Sequence, residues 1–305
     1  MSRRGWLLFA AVGVIWGVPY LLIKVAVGAL SPASLVFFRT VIAALLLLPL
    51  AGARGQLRPL VRHWRPLLVF TAVEIAVPWL FLASAEQRLS SSLAGLLIAA
   101  VPLVGALLGW ATGGERLGPL RQLGLLVGVA GVAALVGLDL HAGDAWALVQ
   151  MGIVVIGYAV GPFILVRFLS GLPGLGVTAA ALALTAVAYL PFAVVQLPGH
   201  WPALTVTGSV VGLSVVCTAA AFLLFFALIA EVGPVRATVI TYLNPAVAVA
   251  LGVALLDEPF TAGIAVGFAL VLLGSVLATR KTRVAEPVAP VPVPASSSSP
   301  SLPSR

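Results

Sequence analysis

Residues 102–131 read PLVGALLGWATGGERLGPLRQLGLLVGVAG, and residues 245–274 read PAVAVALGVALLDEPFTAGIAVGFALVLLG. Laid one on the other, 143 positions apart and without a gap, they match Pro102 with Pro245, Gly109 with Gly252, Glu115 with Glu258, Gly124 with Gly267 and Gly131 with Gly274. The same shift carries Pro19 onto Pro162, Gly28 onto Gly171, and Lys24 onto Arg167, a match in charge. Coincident leucines would mean little in a chain that is 61% apolar. Coincident Pro, Gly and Glu are much harder to obtain from composition. The chain is therefore read as two like-built halves. In a very hydrophobic chain that is a mark of secondary transporters, whose substrate path lies between repeats.

Only 9% of the 305 residues are charged, against about 25% in soluble domains. So few charges cannot cover a water-facing surface, and most of the surface must face lipid. At about 20 apolar residues per crossing, ten spans can be read: 6–29, 33–52, 66–85, 91–112, 120–138, 145–166, 174–197, 206–230, 234–256 and 262–279. Five fall in each half. An odd number makes the second half enter the membrane from the opposite side. The expected fold is an all-α integral membrane protein of ten transmembrane helices in two inverted five-helix repeats, 6–138 and 145–280. Residues 1–5 precede them as a cytoplasmic N-terminus. From 284 to 305 the chain is rich in Pro, Val, Ala and Ser, which reads as a disordered cytoplasmic tail.

The arginines support this count. With the N-terminus in the cytoplasm, the inner segments hold Arg3 and Arg4; Arg54, Arg58, Arg62 and Arg65; Arg116 and Arg121; Arg167; Arg236; and Arg280, Lys281 and Arg283. The outer loops hold Arg88 alone. The positive-inside rule then gives a multi-pass protein of the inner (plasma) membrane with both termini cytoplasmic. The net charge of +8 is spread along these loops rather than gathered on one face, so nucleic acid is not an expected partner. The partners expected are the bilayer and a small-molecule substrate, with a homodimer left open.

No histidine lies in a span and there is no His-Glu-x-x-His, so no metal is expected. There is no Gly-x4-Gly-Lys-Ser/Thr loop, no cofactor motif is read, and no enzyme activity is expected. The single cysteine, Cys217, excludes an intrachain disulfide.

Glu74 is the sharpest single residue. It lies about eight residues into the third span, and an intramembrane carboxylate is costly enough to suggest function. It would handle a proton or a substrate amine; the structural alternative is a protonated Glu bonded to a neighbouring helix. Lys24 and Arg39 lie near the outer ends of the first two spans. They could snorkel to headgroups or contact an anion at a cavity mouth. A Lys24–Glu74 pair is not expected, since their depths differ by ~15 Å at ~1.5 Å rise per residue. Trp16, Tyr20 and Lys24 share one helix face, and Tyr158, Tyr242 and Asn244 are candidates for the same cavity from the second half. Prolines inside spans, notably 19/162 and 102/245, free carbonyls that need a partner or a wet cavity. Glycine pairs at four-residue spacing, such as Gly124/Gly128 and Gly157/Gly161, read first as tight helix packing. Glu115 and Glu258 read as caps for the start of the next helix.

At these residues the chain resembles the EamA-like family of the drug/metabolite transporter superfamily. The resemblance rests on Trp16-Gly17-x6-Lys24, Ser31-Pro32 followed by Arg39, Pro102 with Gly-Glu-Arg-Leu at 114–117, and Asn244-Pro245 with Asp-Glu-Pro-Phe at 257–260. It implies ten helices around a central cavity and transport of small metabolites such as amino acids, drugs or sugar derivatives. Position 182, the counterpart of Arg39, is Leu, so any role of that arginine belongs to one repeat. The function expected is a secondary transporter working by alternating access, with export the expected direction. The alternatives are a membrane-embedded accessory or structural protein, or a membrane enzyme.

Overall fold

The computed structural model describes residues 2–113, 118–139, 145–200, 202–233 and 237–279. The Gly-Glu-Arg-Leu motif at 114–117 and the tail from 284 lie outside them. Among the described residues there is no strand, and nine helices are long and apolar enough to cross a membrane. They are Arg3–Ala26, Pro32–Ala53, Arg58–Ala85, Ser91–Ala111, Pro119–Val136, Ala145–Phe168, Gly174–Val195, Leu204–Val232 and Ala262–Thr279, with a shorter apolar helix, Ile240–Leu256, ninth in order. These are the first to tenth spans below. The third begins earlier than hydropathy indicates, because a 3-10 turn at Arg58–His63 leads into it.

The packing carries the two-fold relation. The fifth span packs on the tenth, the second on the seventh, the fourth on the ninth, the third on the sixth and the first on the eighth. Exchange the halves, so that each span becomes the one five places on. The first three contacts then map onto themselves, and third–sixth maps onto first–eighth. Only a pseudo-two-fold between the repeats does this, and five crossings per repeat make the second repeat inverted.

The tightest seam joins the fifth and tenth spans. A Cβ at Gly124 would sit 2.5 Å from the Ala278 nitrogen, one at Gly131 would sit 2.6 Å from the Val271 nitrogen, and one at Gly274 would run into the Gly128 backbone. The glycines let two backbones touch, which drives association where lipid supplies no hydrophobic force.

Breaks shape the middle of the bundle. The first span stops as a helix at Ile15 and resumes at Val18, with Pro19 in the first turn of the new helix. The fourth breaks between Ile98 and Val101 ahead of Pro102, and the ninth restarts at Asn244 ahead of Pro245. The expected match of 19 with 162 is looser: the sixth helix runs unbroken from Ala145 to Phe168 through Pro162. Gly17 lies in the break of the first span, whereas its counterpart is Val160, and Gly is the weaker helix former.

Both repeats also widen into a π-helix at the same place, Thr71–Ala76 in the third span and Gly212–Ala220 in the eighth. Each ends on a bond to the carbonyl five residues back, Val77 to Ala72 and Ala221 to Val216. Pro78 accompanies the first; Ala221 stands in its place in the second. The wide turn therefore belongs to the repeat and not to the proline. Such turns are rare and frequent at functional sites.

The alternation of spans separates the bundle's two ends. One carries Arg3, Arg4, Arg54, Arg58, Arg62, Arg65, Arg121 and Arg167; the other, among the described loops, carries Arg88. We call them the arginine-rich and arginine-poor ends.

Candidate functional site

The second span begins cleanly: Ser31 caps it by accepting from the Ser34 nitrogen, and Pro32 occupies the first turn. Two turns further in, Arg39 points into the bundle and is 7% exposed. Its Nε donates to Thr218 Oγ1 at 3.0 Å, and the guanidinium carbon lies 3.6 Å from the centre of the Trp79 ring. Thr218 comes from the π segment of the eighth span and passes its own proton to the Leu213 carbonyl, five residues back, at 2.8 Å. Trp79 follows the π segment of the third span. Both wide turns, one from each repeat, thus supply a wall to one guanidinium. Snorkelling is not what this side chain does.

A guanidinium has five N–H donors. Among the described residues Arg39 uses Nε alone, so its terminal fork is on offer. Its electrostatic neighbours are Tyr158, Cys217, Tyr20 and Glu86. Tyr158 feels both Arg39 and Glu74 and has the Trp79 indole beside it. A guanidinium, an indole and two phenols therefore meet in one place.

Glu74 sits in the first π segment, and its Oε2 is buried without a hydrogen-bond partner. It lies against Gly161 of the sixth span, where a Cβ would overlap that oxygen. One turn earlier, a Cβ at Gly157 would press on the Val73 carbonyl at 2.5 Å. The Gly157/Gly161 pair thus makes room for Glu74 and the backbone beside it.

The other residues singled out from the sequence are dispersed. Trp16 packs on Phe225 and Phe222 of the eighth span, with ring centres 4.7 and 5.7 Å apart. Tyr20 is buried over Gly95. Lys24 neither snorkels nor reaches Glu74; its ammonium donates to the Glu86 and Leu89 carbonyls, both at 2.7 Å, and so closes the end of the third span. Asn244, with its amide nitrogen toward the acceptors, donates to the Gly13 and Ile240 carbonyls at 3.0 Å and ties the ninth span to the first. Tyr242 lies at the arginine-rich end, its hydroxyl 3.2 Å from Thr279 Oγ1. Tyr158 neighbours both Arg39 and Glu74, and Tyr20 neighbours Arg39 and Tyr158; Trp16, Lys24, Asn244 and Tyr242 serve other contacts.

Glu258 does cap a helix, but not the next one. It accepts from the Ser91 nitrogen at 2.7 Å and from the nitrogen and hydroxyl of Ser92, at the start of the fourth span. The tenth span instead starts on Thr261, whose hydroxyl takes the Ile264 nitrogen. Glu258 is free to reach across because Asp257 takes a left-handed turn, φ 53°, as the ninth span ends. The cap therefore joins the repeats at the arginine-poor end.

Sequence reasoning missed Trp79, Thr218 and Glu86. Glu86 follows the last residue of the third span and reads as a loop acid, yet it is 0% exposed. A crevice of about 520 Å³ opens between the second, third, sixth and seventh spans. It is lined in part by Ala76, Leu80, Ser84, Gln150, Tyr189 and Gln196 and contains none of the sequence-selected residues.

A ten-helix bundle with inverted repeats, broken spans and a polar cluster where the repeats meet defines a multi-pass membrane transporter. The profile of the EamA-like transporter family matches residues 3–137 and again 145–280, and the chain belongs to that family. The uncharacterized transporter YvbV of Bacillus subtilis is 25% identical over 92% of this chain and 93% of its own. A probable terminal-alkyne amino-acid exporter of Streptantibioticus cattleyicolor is 27% identical over 92% and 95%. The uncharacterized inner membrane transporter YedA of Escherichia coli K12 is 28% identical over 81% of each chain. A solved crystal structure superposes with a TM-score of 0.67 at 23% identity, over 92% of this chain and 98% of that one, and shares the fold.

Proposed function

We propose that this transporter exports small organic solutes carrying an anionic group, by alternating access between the two repeats. The observation that carries the reading is Arg39. A permanent cation is held inside the bundle by Thr218 and Trp79, with its fork unspent. A bidentate carboxylate or phosphate is the partner that geometry suits. Trp79, Tyr158 and Tyr20 supply flat apolar walls, and Glu74 stands beyond Tyr158 for a substrate amine or a proton. The relative named as a probable terminal-alkyne amino-acid exporter fits a solute with both charges and favours export as the direction.

Orientation follows from the arginines: the arginine-rich end faces the cytoplasm of a cell-membrane protein. In a Cys217→Ser background, single cysteines replace Arg58 and Gly199. An impermeant maleimide should label position 199 in intact cells and spare position 58. Labelling of position 58 alone reverses the orientation.

Glu74 is tested in proteoliposomes. If it carries protons, Glu74→Gln keeps the fold and solute binding but loses stimulation by a pH gradient. If it holds an amine, binding itself weakens, and more for amino acids than for acids lacking the amine. Unchanged affinity with an unchanged pH response makes Glu74 structural and removes it from the site.

A further inference from the structure

Glu86 is the buried acid that the transport reading leaves unused. Both of its carboxylate oxygens are buried and have no hydrogen-bond donor. Lys24 is beside it, yet the ammonium gives two hydrogens to backbone carbonyls, one of them that of Glu86 itself. Glu258, across the repeat boundary, takes three donors at the head of the fourth span and adds a second negative charge nearby. Arg39 is the other charged group that acts on Glu86. The phenols of Tyr20 and Tyr158 are further titratable neighbours, and Arg88 follows two residues on in the same loop.

An ionised carboxylate cannot stay in such a place without donors, because its lost hydration is not replaced. Glu258 shows the contrast: it is also an acid at this end, but its oxygens are fully engaged. Burial first, and Glu258 in addition, push the Glu86 carboxyl well above the usual range, while Lys24 and Arg39 pull it down. The position is also strategic. Lys24 comes from the first span, Glu86 from the end of the third and Glu258 from the far repeat. If this end opens by parting the Glu258 cap from Ser91 and Ser92, water would reach Glu86.

We propose that Glu86 is a proton-binding site that holds its proton more tightly while the arginine-poor end is closed, so that opening this end is linked to pH. The inference rests on the alternating-access reading above. The sign is fixed by linkage: the closed state binds the proton more tightly, so acid favours closure and rising pH favours opening. One proton changes the closed-to-open ratio by at most about tenfold per pH unit.

The test uses the full chain in lipid nanodiscs, with Cys217→Ser and spin labels on Ala29→Cys and Phe260→Cys, both exposed at this end. The distance between labels is measured across pH. The longer-distance population should grow as pH rises, by up to about tenfold per unit. Glu86→Gln, and Glu86→Met as a second neutral replacement, should stay short throughout. No pH response in the parent, or one that survives in both replacements, overturns the proposal. Infrared spectra give an independent reading: the parent should show a protonated carboxyl band that Glu86→Gln removes, and a spectrum unchanged by that substitution also overturns it. A protein that gives both signals yet moves no solute in proteoliposomes keeps the proton site and loses the transport reading.

Discussion

Arg39→Lys should weaken binding of carboxylate solutes by roughly tenfold to a hundredfold while the protein still folds. Lysine keeps the charge but not the planar fork, the Nε–H that meets Thr218, or the flat face on Trp79. A hydrogen bond to a charged group is worth about 1.5–3 kcal/mol, and each 1.4 kcal/mol is tenfold in affinity. Losing one arm of a bidentate grip accounts for the range. The measurement is stabilisation of the purified protein by a panel of amino acids and other small organic acids, with the matching amides as controls. Carboxylates should lose their effect and amides should not change. Equal losses for acids and amides would mean that Arg39 only holds the second, third and eighth spans together.

Gly274→Val should be the most damaging change outside the polar cluster. The new Cβ meets the backbone of Gly128, and no flexible side chain is there to move aside. The fifth and tenth spans would have to separate along their length. Overpacking a core costs about 1–3 kcal/mol when side chains can adjust; here about 3 kcal/mol or more is expected. Gly105→Ala is the control, since a Cβ there has nothing within 4 Å. Thermal unfolding in detergent should show a large fall for Gly274→Val and almost none for Gly105→Ala. Equal melting of the two would deny the seam its role.

Much of this fold is legible in the residues. The repeat shows because Pro102, Gly124 and Glu115 have partners at a constant offset, and those residue types are scarce enough to be informative. The spans show because lipid demands unbroken apolar runs. The wide turn is half legible: Pro78 hints at it in the third span, but nothing in Gly212–Ala220 announces its counterpart in the eighth. Backbone geometry there is set by the packing of the repeat and not by a breaker residue.

The site was less readable. Glu74 stands out by depth alone, whereas Arg39 reads as a residue at a mouth when only its distance from the helix start is counted. Its real surroundings come from Trp79 and from Thr218, 179 residues away, and no local pattern pairs them. Glu86 fails the depth argument in the opposite sense: it follows the span's last residue, yet Lys24 draws the chain end inward. Long-range packing turns a loop acid into a buried one.

The confinement of Arg39 inside the bundle has an electrical consequence. Moving one elementary charge through the membrane potential is worth about 2.3 kcal/mol per 100 mV. A guanidinium never gives up its charge, so the empty cluster always carries it. An anion seated on the fork cancels it. On the transport reading proposed above, the field across the membrane would then act on the empty transporter as it reorients and would have little hold on one loaded with a simple anion. Voltage would set how quickly the protein resets between cycles, and leave the step that carries the solute almost untouched.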